Sequence, residues 1–300
     1  MASSLLTLPP PLRAFFALFP LYTYPAHSTP YAAPRITQPT LWVHPPRAPA
    51  DTDLPTELLS ADVECLKWQA YLALRGVRDV AVRWDIAPDG GVDGRLPALH
   101  VPLAFAAEAD AKKTRDDGEG ELLAPHLIAG WVDARVGSVD SVEGYADLAA
   151  KDESRAWVAL MEGPVHAALE FFQPKDVTLR TILAPYSTNH RPVETMLNPP
   201  PAPLTGLASL IPPYGVHLDR NALELQYKDA IASLSERLGT DKWFLGSDAP
   251  TALDALVFAY LHCLLHSKEN VLRFEVTRRV NLVAWERRVQ NEVKVAFHND

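Results

Sequence analysis

The stretch "KWFLGSDAPTALDALVFAYLHCLLHS", Lys242 to Ser267, contains the longest apolar run in the chain. The run from Ala252 to Leu265 spans about 14 residues, fewer than the roughly 20 apolar residues that a membrane-spanning helix needs. This is the length of a helix buried in a protein core. We therefore predict a buried core helix here, and not a membrane span.

A helix-start signal lies at the beginning of this run, in the letters "TALD". In a capping box, the side chain of Thr251 accepts a hydrogen bond from the backbone N–H of Asp254. The Asp254 carboxylate in turn accepts one from the N–H of Thr251. The pattern predicts that the core helix begins directly after Thr251 and that both residues have a structural role.

The charge balance limits the classes of partner. The chain has 28 Lys and Arg residues against 37 Asp and Glu residues, a formal net charge of −9. This sign is unsuitable for neutralising phosphates, so we expect no nucleic acid partner. The two cysteines, Cys65 and Cys263, lie far apart and form neither a disulfide framework nor a metal-binding spacing, which favours a reducing compartment.

Residues 1–38 are predicted to form an irregular arm rich in proline and aromatic residues. The first residues carry one cation, Arg13, and contain three consecutive prolines, a pattern of neither a secretory signal nor a transit peptide. The arm has too many large apolar side chains to leave in water, so it either wraps the protein's own helices or docks onto a partner. The candidate partner-binding residues are Phe15, Phe16, Phe19, Leu21, Tyr22 and Tyr24.

Strand and helix signals alternate in the next hundred residues. "TLWVH" predicts a short strand, and "VECLKWQAYLALRG" predicts a helix that is capped by Ser60 or Asp62 and ended by Gly76. "VRDVAVRWDI" alternates like a half-buried strand. Pro97 cannot donate to a sheet ladder and so predicts an edge strand or a bend. "LLAPHLIAGWVDARVG" predicts a helix that closes this α/β part.

Helical patterns dominate from about residue 138, as in "DESRAWVALMEGPVHAALEFF" and "LDRNALELQYKDAIASLSERLG". Between these two segments, a Pro-rich insertion at about 173–216 cannot be one continuous helix. The last segment, "VTRRVNLVAWERRVQNEVKVAF", has an approximate helical stripe formed by Val276, Val280, Val283, Val289 and Val293.

Three segments resemble the metaxin family and together cover about half of the chain. "LSERLGTDKWFLGSDAPTALDALVFAYLHCLL" has the family's order of amphipathic helix, aromatic segment, Ser/Thr-x-x-Asp box and apolar core helix. "DVECLKWQAYLALRG" is similar to its first helix, and "GRLPALHVP" is similar to its "G-x-LPAL" strand. The resemblance implies a thioredoxin-like α/β domain at 39–137 and an all-α glutathione-transferase-like domain at 138–300. It also implies a cis bond between Leu96 and Pro97.

Metaxins and their fungal relatives are cytosolic-side subunits of the sorting and assembly machinery of the mitochondrial outer membrane. The resemblance therefore implies a non-enzymatic subunit at that membrane, without catalytic residues, cofactor or metal. Its expected partners are the β-barrel insertase, a second metaxin-like subunit and β-barrel precursors. The ending "NEVKVAFHND" and the "FPLYTYP" arm suit the peripheral, unanchored fungal type, which contacts the membrane mainly through its partners.

Two features of the sequence could carry chemistry: a pair of histidines and a cysteine. His262 and His266 are spaced like two zinc ligands, but Cys263 stands where HExxH would have Glu, so core or rim histidines are the preferred interpretation. Cys65 is the only nucleophile near the first strand, and a helix N-terminus would lower its pKa. In the metaxin family the residue at the position of Cys65 varies, which favours a packing role over a reactive thiol.

The main alternative function is a soluble enzyme that uses glutathione. Such transferases place Glu or Gln followed by Ser after the Pro97 strand, whereas Glu121 is followed by two leucines, so glutathione binding is expected to be lost.

The arginines of the last helix are interpreted as a solvated face whose charge is balanced by Glu286 and Glu292. The alternative is that they contact lipid heads or acidic partner loops. The residues concerned are Arg278, Arg279, Arg287 and Arg288.

Overall fold

A computed structural model of the protein describes residues 36–47, 58–102, 120–138, 140–172 and 219–297. The predicted insertion at 173–216 and all but the last residues of the arm at 1–38 lie outside these ranges. Thr37–Asp300 belong to one compact unit.

A four-stranded sheet forms one layer of this unit. Its strands are β1 (Thr40–Trp42), β2 (Ala81–Arg83), β3 (Ala98–Val101) and β4 (Glu121–Leu123), in the order β2-β1-β3-β4. β1 is parallel to β2 and antiparallel to β3, which is antiparallel to β4. A row of leucines crosses the sheet, since Leu41 is opposite Leu99 and Leu99 is opposite Leu123, all three buried. The apolar side of the sheet therefore faces the core.

Helix α1 (Val63–Leu74) connects the parallel strands β1 and β2, and helix α2 (Pro125–Val136) follows β4. The structure resolves the two predicted caps in favour of Asp62, whose carboxylate accepts from the N–H of Cys65 at 2.9 Å. Gly76 ends α1 with φ +78°, a left-handed conformation that costs glycine little. This β-α-β unit followed by β-β-α confirms the predicted thioredoxin-like part.

The Pro97 strand is not the edge strand that the sequence predicts. β3 lies between β1 and β4, and its first paired residue is Ala98. Pro97 stands one position outside the ladder, where its missing N–H removes no sheet hydrogen bond. The Leu96–Pro97 bond is cis. β4 lies at the edge of the sheet next to β3, and β2 lies at the other edge. From sequence, Leu122 and Leu123 of β4 are predicted to belong to the following helix.

The helical part begins with α3 (Leu148–Leu160), which continues through a π-helical turn (Met161–Val165) into α4 (His166–Phe172). Pro164 lies inside this turn, where the widened hydrogen-bond pattern accommodates its missing N–H. The later helices are α5 (Arg220–Leu238), α6 (Ala252–Leu265), α7 (Asn270–Thr277) and α8 (Val280–Phe297).

Helix α6 is the predicted core helix, and every residue from Leu253 to Leu264 is buried. It packs against α1, α7, α8 and the π-helical turn. Among the helices in the described ranges, none is at once long enough and apolar enough to cross a membrane.

The predicted valine stripe of the last segment is only partly correct. The segment contains two helices, α7 and α8, and Val280 is the first residue of α8, where it is 79% exposed. The buried face of α8 instead consists of Leu282, Trp285, Glu286, Val289, Val293, Ala296 and Phe297.

The predicted capping box is present at the start of α6. One Asp254 carboxylate oxygen accepts from the N–H of Thr251 at 2.8 Å and from its hydroxyl at 2.7 Å. The other oxygen accepts from the N–H of Phe244 at 2.9 Å, so the same carboxylate also fixes the preceding 3₁₀ turn, Phe244–Gly246. Burial raises the pKa of Asp254 to about 6, although these hydrogen bonds act in the opposite direction.

Asp254 should therefore make stability depend on pH. Because the folded-state pKa is about 6 and the ordinary value is 3.8, the folded state binds more protons between these values than the unfolded state does. This contribution is full below pH 3.8 and is lost as the pH rises through about 6, amounting to at most about 3 kcal/mol. Urea denaturation from pH 4.5 to 7.5 should show this fall in wild type relative to Asp254→Asn, which cannot titrate. Parallel pH profiles of the two proteins would contradict it.

Candidate functional site

The end of β1 is the place where a glutathione transferase would position its activating side chain. Here the residues are His44, Pro45 and Pro46. The hydroxyl of Ser60 donates to the carbonyl of His44 at 2.8 Å, and Ser60 forms a β-bridge with Pro46. The chain's own segment before α1 is thus bonded to this corner.

A buried glutamine completes that arrangement. Gln69 of α1 is fully buried, its side-chain oxygen accepts from the N–H of Ser60 at 2.9 Å, and its amide donates to the carbonyl of Leu58 at 3.0 Å. Both ends of the amide are therefore used to hold the segment against α1. These bonds are structural, and they occupy polar groups that a ligand would otherwise contact.

Cys65 does not have the properties of a reactive thiol. It is fully buried, and its sulfur accepts from the backbone N–H of His44 at 3.3 Å. Burial, together with the nearby charge of Asp62, raises the pKa of the thiol far above its ordinary value. Since the thiolate is the nucleophile, the interpretation of Cys65 as packing is the one that the geometry supports.

The start of α2 is the second place where a transferase would bind glutathione. Glu121 lies at the beginning of β4 opposite Val101, so the Glu121–Leu122 pair considered from sequence is in a strand and not at the helix start. The helix is capped by Ala124, which has no side-chain hydrogen bond, and its first residue is Pro125. This helix start lacks a hydroxyl and one backbone N–H donor, which weakens it as a carboxylate-binding site.

The two histidines of α6 have different environments. His262 is buried, and its Nδ1 donates to Glu286 of α8 at 2.7 Å, a carboxylate that is 2% exposed. The interpretation of Glu286 as part of a solvated face is therefore wrong, because it lies on the inner face of α8. His266 is exposed, its ring lies 4.2 Å from that of His262, and its Nδ1 donates to the His262 carbonyl. The described residues contain no cluster that would hold a metal ion.

The C-terminal end of α6 also bonds to the α/β part. The guanidinium of Arg47 donates to the carbonyl of His266, and the Cys263 thiol donates to the carbonyl of Ala61 at 3.5 Å. Burial raises the pKa of Cys263 to about 12, so this cysteine is also a packing residue. These contacts join the histidine end of α6 to two segments that precede α1, the one after β1 and the one directly before the helix.

The sequence-predicted site residues do not form one site. Thr251 and Asp254 form the capping box of α6, whereas Pro97 lies before β3 in the sheet. The six apolar residues of the arm lie outside the described residues. They are Phe15, Phe16, Phe19, Leu21, Tyr22 and Tyr24.

A surface feature missed from sequence lies between α5 and α7. It is an open groove of about 440 Å³, and beside it Phe274 is 63% exposed. The sequence signal was a large aromatic residue between Arg273 and Glu275, off the apolar stripe of its helix. The sequence pattern does not reveal this surface, because it predicts the residues of α7 and α8 as one segment.

Residues 227–289 match the model of the glutathione S-transferase C-terminal domain. Metaxin-1 of Macaca fascicularis is 45% identical over 60 residues, which are 18% of this chain and 19% of that protein. The matched part is thus about a fifth of the length of this curated relative.

Solved glutathione transferases are similar to most of the chain at low identity. Poplar glutathione transferase F1 has 12% identity and a TM-score of 0.47, covering 87% of this chain and 97% of its own. A glutathione S-transferase from Methylobacterium radiotolerans, in complex with glutathione sulfonate, has 14% identity and a TM-score of 0.46, covering 87% and 93%.

The matched domain and the observed sheet confirm the predicted fold class, a thioredoxin-like α/β part followed by an all-α part like the glutathione-transferase C-terminal domain. The similarity to Metaxin-1 together with this domain supports a metaxin- or glutathione-transferase-like family.

Proposed function

We propose that this protein is a non-enzymatic, fungal-type peripheral subunit of the mitochondrial sorting and assembly machinery. In this role it binds the outer-membrane barrel insertase on the cytosolic side, beside a second metaxin-like subunit, and assists the insertion of β-barrel precursors. The observation that carries the proposal is the end of β1, where a transferase-like scaffold has His44, Pro45 and Pro46 in place of an activating hydroxyl or thiol.

Two further observations support a binding role over glutathione chemistry. Cys65, the thiol nearest to this corner, is buried and has a raised pKa. The start of α2 has Ala124 and Pro125, with neither a hydroxyl nor a full set of N–H donors. The 60-residue similarity to Metaxin-1 favours a metaxin role in particular.

A barrel precursor has unpaired strand edges until it closes, so its insertase benefits from a subunit that shields these edges on the cytosolic side. We expect that mitochondria depleted of this protein assemble newly imported outer-membrane barrels more slowly, and that matrix import is unaffected at early times. The measurement is import of a labelled barrel precursor followed by native electrophoresis.

The control is re-addition of the wild-type protein, which should restore barrel assembly. Purified protein should neither bind immobilised glutathione nor turn over a generic electrophile. Normal barrel assembly in depleted mitochondria, together with glutathione turnover by the purified protein, would favour the soluble transferase instead.

The aromatic arm is the proposed attachment segment. Replacing Phe15, Phe16 and Phe19 together by Ala removes three large apolar side chains, so the protein should be recovered less efficiently with the assembly complex after gentle solubilisation. The melting temperature should be unchanged, because in this role the three side chains pack on the assembly complex and not on the protein's own core. Full recovery of the triple variant with the complex would show that the arm is not used for attachment.

A further inference from the structure

The groove between α5 and α7 has a rigid frame. The buried hydroxyl of Tyr227 on α5 donates to the carbonyl of Leu272 on α7 at 2.7 Å, which fixes the two helices to each other. The groove is lined by Glu224 and Lys228 of α5 and by Asn270, Arg273, Phe274 and Arg278 of the α7 segment. It is therefore a preformed surface.

Both carboxylates at the groove are already bound by cations. Lys228 lies 2.6 Å from Glu224 on the same helix. Glu275, which is buried, is contacted by Arg278 at 3.4 Å and by Arg279 at 3.1 Å. The negative charges of the groove are thus used within the protein and are not available to a cationic partner.

Within the part of the chain that the structure describes, no carboxylate forms an ion pair with Arg273, so this residue adds a positive charge to the groove. The hydrogen bond of its guanidinium is to the neutral side-chain oxygen of Asn270 at 2.7 Å. Among the described residues that line the groove, three are cations and two are carboxylates, whereas the whole chain has a net charge of −9. The local charge is therefore opposite in sign to that of the whole protein, which favours an acidic partner.

The same groove has an exposed aromatic ring. The ring of Phe274 is 63% exposed, and the guanidinium of Arg278 lies 5.7 Å from its centre. An exposed aromatic ring beside arginines is the composition of an interface centre, because Phe and Arg are enriched there.

We propose that this groove binds an acidic amphipathic peptide segment of a partner protein. An apolar side chain of the segment packs against Phe274, and a carboxylate pairs with the guanidinium of Arg273. A groove between two helices suits a helical segment, whose apolar and acidic side chains recur at helical spacing on separate faces.

The probe is a fluorescein-labelled helical peptide of roughly 14 residues, with Leu on one face and Glu on the other. Two matched peptides replace all Glu by Lys, or all Leu by Ser. Fluorescence polarisation with the purified full-length protein should show saturable binding of the acidic amphipathic peptide alone. The binding should weaken as the salt concentration rises, because part of it is ionic. Its outcome does not depend on the role in barrel assembly, since mitochondria are absent.

Two variants test the named contacts. Arg273→Glu should raise the Kd for the acidic peptide about tenfold or more, and Phe274→Ser should have an effect of similar size. The matched controls are Arg287→Glu, an exposed arginine on α8 outside the groove, and Val295→Ser, an apolar residue that is 64% exposed. Both controls should bind like wild type.

Four results would overturn the proposal: no saturable binding of the acidic peptide, equal binding of the Lys peptide, equal loss in Arg287→Glu, or unchanged binding in Arg273→Glu. Sedimentation that shows a dimer lost in Phe274→Ser would assign the groove to a second copy of the chain. Binding to phosphatidylserine vesicles that is lost in Arg273→Glu, without peptide binding, would assign it to a membrane surface.

Discussion

His262→Leu is expected to lower the free energy of unfolding by about 3–5 kcal/mol, because it removes the hydrogen-bond partner of the buried Glu286 carboxylate. His262 and Glu286 are both at least 95% buried and share a 2.7 Å hydrogen bond between α6 and α8. Leucine cannot bond to the carboxylate, so Glu286 would stay in the core without this partner. Guanidinium denaturation at neutral pH measures the change.

The double variant His262→Leu/Glu286→Leu separates the pair from the packing around it. Because replacing both members by apolar residues of similar volume removes the unpaired group, the double variant should be more stable than His262→Leu alone. The two single variants are His262→Leu and Glu286→Leu. If the double variant lost as much free energy of unfolding as the two single variants together, the pair would not act as a unit.

Phe244→Ala should have an effect of similar size, about 3–5 kcal/mol, because it removes a fully buried aromatic ring and leaves a cavity. The ring packs edge-on against Trp285 of α8, with 5.1 Å between ring centres. The backbone N–H of Phe244 remains able to donate to Asp254, so the capping carboxylate keeps its third partner. The measurement is the denaturant midpoint at constant slope.

Phe274→Ala is the matched control for this substitution. It removes the same side chain at a position that is 63% exposed, so the stability should change by no more than about 0.5 kcal/mol. If both variants lost the same free energy, burial would not be the cause of the effect at Phe244.

The features that were predictable from sequence have a local cause. The core helix α6 follows from the length of its apolar run, and its start follows from the Thr-x-x-Asp spacing, both of which depend on neighbouring residues only. The cap of α1 was narrowed to Ser60 or Asp62 for the same reason. Choosing between them required the structure, because the Ser60 hydroxyl donates to the carbonyl of His44, 16 residues away.

The features that were missed depend on distant partners. β4 is three residues long, too short to show a period, and is a strand because it pairs with β3. Glu286 was placed on the solvated face because a charged residue is normally exposed, and only the position of His262 across the helix interface explains its burial. The groove depends likewise on two helices that are far apart in sequence.

The domain boundary predicted near residue 138 separates two sequence patterns, but we do not expect it to separate two units of unfolding. Helix α1 belongs to the α/β part, yet it packs on α6 and α8, while its Cys65 is bonded to the end of β1. We therefore expect amide protons of α1 to be protected from exchange only while both neighbours stay in place. Sheet and helices should then open together as one foldon, and the slow-exchanging core should extend across the boundary.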